Sequence, residues 1–155
     1  MPSYTHYWDG ATCQDNHAWE GQPLIHTAGN LFASKGVAVG DRIFVVNILR
    51  GELYLIGRFV VGAIVRSHEE AKRRLGYEPY RADQHLFAKN GTAALTRFDR
   101  KVPASITRHL QLHRSKGIQG LRFVSAEELD RQALRGVGRL TSESADMLDA
   151  CLRKE

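Results

Sequence analysis

A Gly40-Asp41 pair opens an apolar run from Ile43 to Val46, Arg50-Gly51-Glu52 supplies a turn, and a second run follows from Leu53 to Val65. Two such runs joined by a tight turn predict an antiparallel hairpin. The second run is well above the five or six residues of an ordinary strand, so in a small domain it must bend. Gly57 and Gly62 fall where a bulge would curl it. The pattern predicts a curled sheet closing into a small barrel rather than a flat sheet. Arg58 interrupts the run, and strict alternation places it on the face of Tyr54, Ile56 and Val60. A charge in such a wall needs a ligand or a partner, with Asp9 and Asp41 as candidate carboxylates.

The chain has 155 residues, 43% hydrophobic and 25% charged, which suits one core and predicts a single domain over residues 1–155. Its first residues lack a basic then apolar leader, and no apolar stretch approaches the length of a membrane span, so a soluble, cytoplasmic protein is expected. Cys13 and Cys151 lie at opposite ends without a CxxC spacing, which fits free thiols in a reducing compartment.

The net charge of +5 is unevenly spread. Between residues 97 and 122 stand Arg97, Arg100, Lys101, Arg108, Arg114, Lys116 and Arg122, against Asp99 alone, whereas residues 1–40 hold Lys35 against Asp9, Asp15 and Glu20. The basic segment is a candidate phosphate-binding face, and a merely solvated surface is the competing reading.

Capping signals predict the helices. Ser67 with Glu70 forms a capping box ahead of Ala71 and Leu75, with Gly76 as the stop; Ser125 with Glu128 repeats the device before Leu129, Ala133 and Leu134, ending at Gly136. Ser105 caps a short helix through Ile106 and Leu110, and Thr141 or Ser142 caps a last one carrying Ala145, Leu148 and Leu152 at helical spacing. Further strands are expected at Ser3 to Trp8, Phe98 to Val102 and Leu121 to Val124. Without regular βαβ alternation, the fold class is α+β around a mostly antiparallel sheet.

The N-terminal half carries a resemblance. An opening strand with Tyr7-Trp8, a loop with Trp19, Gly40-Asp41 leading into Ile43 to Val46, and the element Ile56-Gly57-Arg58-Phe59-Val60-Val61 together resemble the PUA-like superfamily, and within it the EVE domains. That resemblance implies a PUA-like curled β-barrel and a non-catalytic nucleic-acid reader, acting on DNA or RNA, that holds a flipped, modified base such as a methylated cytosine between aromatic rings. It implies a base pocket at Trp8 and Trp19, supported by Tyr7, Phe32 and Tyr54. Asp9 and Asn30 are candidates for the base edge, and Arg58 is the point where the hairpin reaches in. Asp9-Gly10 also reads as a turn, and Asn30 as a cap on Leu31 to Ser34. No nuclease motif is present, so cleavage would belong to an effector partner.

Other chemistries find less support. His6, His17 and His26 crowd the first segment with Asp9, Cys13 and Asp15 but match no compact zinc spacing, and His109-x-x-x-His113 lacks the Glu of a hydrolytic zinc helix. No metal or other cofactor is expected. Cys13 and His17 are not spaced as a nucleophile and its base need to be. No phosphate-binding glycine loop occurs, although Arg135 and Arg139 flank Gly136 and Gly138 and are further candidates for phosphate. Three alternatives stay open: a small enzyme using the polar N-terminal segment with Arg58 on a nucleoside-like or acidic substrate, an RNA-binding PUA-type module, and a protein-interaction module.

Overall fold

The computed structural model describes residues 1–153. The predicted hairpin is its centre: β3 (Arg42–Leu49) and β4 (Glu52–Val65) pair antiparallel through the tight turn at Arg50 and Gly51. Strand β1 (Ser3–Tyr7) lies parallel to β3, with Tyr4 opposite Ile43, and a crossing this long uses α1 (Gly10–Asp15), a 3-10 turn (His17–Trp19) and β2 (His26–Gly29). After β4 come α2 (His68–Leu75), β5 (Gln84–Ala88) and α3 (Ala104–Thr107). The chain ends with β6 (Gln111–Arg114), β7 (Gly117–Gly120), β8 (Val137–Leu140) and α4 (Ser142–Leu152).

One eight-stranded sheet results, in the order β2-β5-β4-β3-β1-β8-β6-β7. The expected α+β class is present, but β2 and β7 end the sheet without pairing to each other, so the sheet is open where a closed barrel was expected. Both glycine positions do mark bends. The register slips between Val45 and Val46, beside Gly57, and again between Val61 and Ala63, leaving Gly62 unpaired. A Cβ on Gly57 would lie 2.8 Å from the Leu24 side chain, so the bend also lets the 20–25 loop pack close against β4.

The first slip reverses the expected face of Arg58. Ile56 packs in one cluster with Ile43, Val45 and Phe59, whereas Leu53 and Leu55 pack with Phe44 and Val46 in another. Arg58, opposite Phe44, therefore points away from Tyr54 and Ile56 and toward α4. Its carboxylate is Asp149, at 3.2 Å, which also pairs with Arg42; neither Asp9 nor Asp41 serves.

The Ser67 and Thr141 caps form as expected: Ser67 Oγ accepts from Glu70 N, Gly76 closes α2 in the left-handed region, and Thr141 Oγ1 accepts from Ser144 N. Ala145 and Leu148 then face the core. The helix expected at Ser125 does not form. There the main chain docks on the hairpin turn, with Leu129 N donating to Gly51 O and Val124 N to Glu128 O, and those bonds replace the helical ones. The expected strand at Phe98 to Val102 is reduced to one bridge from Lys101 to Tyr54, and in place of the one at Leu121 to Val124 the strand β7 lies just before it. No helix among the described residues is long and apolar enough to cross a membrane.

Candidate functional site

The crossing from β1 to β3 builds a hollow of about 430 Å³, within the roughly 300–1,000 Å³ of small-molecule clefts. Its lining comes from the end of β1, from α1 and the turn after it, from β2, and from the segment Tyr77–Tyr80 that follows α2. Five aromatic rings contribute: Tyr7, Trp8, Trp19, Tyr77 and Tyr80.

The two tryptophans are held differently. Trp8 is 6% exposed, its amide donates to Val46 O, its carbonyl accepts from Asn47 Nδ2, and its indole Nε1 donates to Thr27 Oγ1 at 2.9 Å. Trp19 is 37% exposed and leans on Tyr77 with ring centroids 5.5 Å apart. One ring is fixed from behind, and the other stands at the mouth.

Thr27 organises the floor. Its hydroxyl accepts from Trp8 and lies 2.8 Å from His6 Nδ1. A Trp N–H only donates, so Thr27 Oγ1 is the acceptor there, and the hydroxyl shares a second hydrogen bond with His6 Nδ1 whose direction follows the His6 tautomer. Burial lowers the His6 pKa to about 4. His26, also on the floor, contacts His85 Nδ1 through Nε2 at 3.0 Å, and burial followed by the neighbouring His85 and His6 lowers its pKa to about 3. Both rings are neutral near pH 7. Thr27 and Ala28 line the hollow from β2, whose edge away from β5 has no strand partner among the described residues.

Asn16, Asp15 and Glu78 supply polar groups at the rim. Asn16 Nδ2 donates to Thr12 O, and Glu78 is engaged by His68 Nε2 and by Lys72. Those bonds to Glu78 anchor the Tyr77–Tyr80 segment to α2.

Of the residues expected in a base pocket, Tyr7, Trp8 and Trp19 come together here, and the rest lie elsewhere. Asp9 caps α1, its carboxylate accepting from Thr12 N at 2.8 Å, and the Thr12 amide and hydroxyl hold its pKa down. Asn30 accepts from Asp83 N, Phe32 is a core ring set edge-on to His6, and Tyr54 donates to Glu52 on the hairpin. Arg58 faces α4. Cys13 donates through Sγ to Trp8 O, and burial, with the Asp9 charge, raises its pKa to about 11, which leaves it a thiol rather than a nucleophile. His17 stacks on Phe98, outside the hollow's lining.

The basic residues also divide. Arg100 is buried and donates to the Leu55, Ile56 and Leu95 carbonyls, so it supports the β4 wall. Lys101 pairs with Glu52, Arg122 with Asp130, and Arg114 donates to Ala133 O. Arg108 and Lys116 are exposed, and Arg97 is half-buried.

Sequence reasoning did not find Asn16, Thr27, Tyr77 or Tyr80, and weighed His26 only as a metal ligand. The available signal was Tyr77-Glu78-Pro79-Tyr80 directly after the Gly76 helix stop, two aromatic residues on a segment too short to bury them. No family model matches the chain, and no curated protein matches it.

Proposed function

We propose that this protein is a non-catalytic nucleic-acid reader that takes one unstacked base, modified by a small apolar group such as the methyl of a methylated cytosine, into the hollow between Trp8 and Trp19. The fold reading that accompanies it is PUA-like and EVE-like, with the glycine bulges of β4 bending an open sheet. The observation that carries the reading is the pairing of a rigid Trp8, locked through Thr27, with an exposed Trp19 across a hollow whose floor is uncharged. Stacking between aromatic faces is available to any base, and the unpaired edge of β2 with neutral His26 offers donors and acceptors to a Watson–Crick edge. Cleavage, where it occurs, belongs to an effector nuclease in a partner, and the nucleic acid is DNA or RNA in a cytoplasmic setting.

An enzyme acting on a nucleoside-like substrate would need a general base near neutral pH. His6 and His26, with pKa values of about 4 and 3, are poor bases there, and the Cys13 thiol is protonated. These observations favour binding over acid–base catalysis.

The test is fluorescence anisotropy with single-stranded oligonucleotides carrying one cytosine or one 5-methylcytosine. A buried methyl is worth about 0.8 kcal/mol, so wild type should prefer the methylated strand about fourfold. Trp19→Ala should weaken binding by about 1–3 kcal/mol and leave the thermal midpoint unchanged. Equal affinity of Trp19→Ala and wild type for both strands would remove the pocket from consideration.

A further inference from the structure

A second cleft, of about 420 Å³, adjoins the aromatic hollow and shares Tyr7 and Thr12 with it. Its other lining residues are Asp9, Arg131, Gln132, Arg135 and Gly136. The turn that carries the two arginines is pinned on several sides. Gly136 O accepts from Tyr7 N at the end of β1, Ala133 O accepts from Arg114, and Asp130 Oδ1 accepts from Gln132 N. Ala133 and Leu134 are buried in the core, while Arg131 and Arg135, four residues apart, are exposed. Arg135 makes one local bond, to Gln132 Oε1 at 3.3 Å, and neither arginine forms an ion pair among the described residues. Among the described residues the one carboxylate lining the cleft, Asp9, already accepts the α1 amide of Thr12.

From this geometry we infer that Arg131 and Arg135 hold the phosphate flanking the base that enters the hollow, so the strand crosses the protein over the Tyr7–Thr12 rim rather than over the 97–122 segment. The inference rests on the base-reading proposal and adds the path of the backbone to it. Base and phosphate of one nucleotide are joined by a single sugar, so a phosphate subsite must lie directly beside the base site, and this cleft does. The guanidinium fork suits phosphate oxygens. In the 97–122 segment, by contrast, Arg100, Lys101, Arg114 and Arg122 are already bonded to the protein itself.

The salt dependence of oligonucleotide binding tests the assignment, because each lost phosphate contact on a single strand lowers the slope of log K against log salt by about 0.7. Arg131→Gln/Arg135→Gln, which removes that one phosphate contact, should therefore reduce the slope by about 0.7, on a methylated strand and on one with an abasic site at the same position. Between 50 and 200 mM salt the variant should lose about 2.6-fold less affinity than wild type does. Arg108→Gln/Lys116→Gln should leave the slope near wild type, and Trp19→Ala should weaken binding without changing it. An unchanged slope in Arg131→Gln/Arg135→Gln, with Trp19→Ala still weakened, overturns the phosphate site and spares the base reading. A reduced slope with Trp19→Ala binding as wild type keeps the phosphate contact and overturns the base reading. A wild-type protein that binds none of the strands overturns both.

Discussion

Trp8 and Trp19 face the same hollow, yet only one of them can be removed without disturbing the fold. Truncating a buried Trp costs roughly 3–5 kcal/mol through lost packing, and Trp8 is 6% exposed, so a binding defect in Trp8→Ala would mix instability with lost stacking. Trp19 stands at the mouth, 37% exposed, so its truncation costs the core little and reports on stacking together with its contact to Tyr77. The residue that joins the fold to the site is Thr27, because a single hydroxyl satisfies both Trp8 Nε1 and His6 Nδ1. Replacing it by Val keeps the shape and leaves two buried polar groups, Trp8 Nε1 and His6 Nδ1, unpartnered, each costing about 1–3 kcal/mol. Thr27→Val should therefore lower unfolding stability by about 2–6 kcal/mol in urea titration, while Thr27→Ser should retain most of it. A Val variant as stable as wild type would mean that water or another group replaces the hydroxyl, and the rigid Trp8 of the proposed site would lose its stated support.

At the scale of elements, the long strand β4 keeps the meaning its glycines suggest. Gly62 is the unpaired residue of a bulge, and a Cβ there would stand 2.8 Å from the Lys89 main chain, which cannot swing aside as a side chain can. Gly62→Ala should cost about 1–3 kcal/mol and show as a lowered thermal midpoint; an unchanged midpoint would show that the β4–β5 bulge absorbs the methyl by shifting. Such local features were legible in the sequence because a few neighbouring residues decide them. The Ser67–Gly76 helix, the Thr141 cap and the bent hairpin each depend on contacts within one element or one turn. The same local rules misled at Ser125, where a good capping box lost to hydrogen bonds with Gly51, more than seventy positions away. They also misplaced Arg58, because one register slip turns every later side chain of a strand to the other face. The hollow was legible only at Tyr7, Trp8 and Trp19. Its remaining walls come from β2 and from Tyr77–Tyr80, and what brings them to Trp8 is the β2–β5 pairing and the Trp19–Tyr77 contact, neither of which has a sequence period.

For the whole molecule, the buried imidazoles couple the site to stability. His6 and His26 sit in the folded protein with pKa values of about 4 and 3, and His85 is also lowered, in each case chiefly by burial. In the unfolded chain these rings return to about 6.5. Because the folded values are the lower ones, the unfolded state binds protons first as the pH falls. Stability is then fully present above about pH 6.5 and drains away down toward the folded values. His6 alone should withdraw about 2 kcal/mol between pH 7 and pH 5, a window in which most carboxylates stay ionised, and His26 should add a comparable loss. Urea titrations at the two pH values should show that decline in wild type, and His6→Gln, though less stable at pH 7, should show a shallower one. A wild-type stability that is flat from pH 7 to pH 5 would mean that the floor of the hollow is hydrated enough to protonate in place. The uncharged floor on which the base-reading proposal rests would then fail with it.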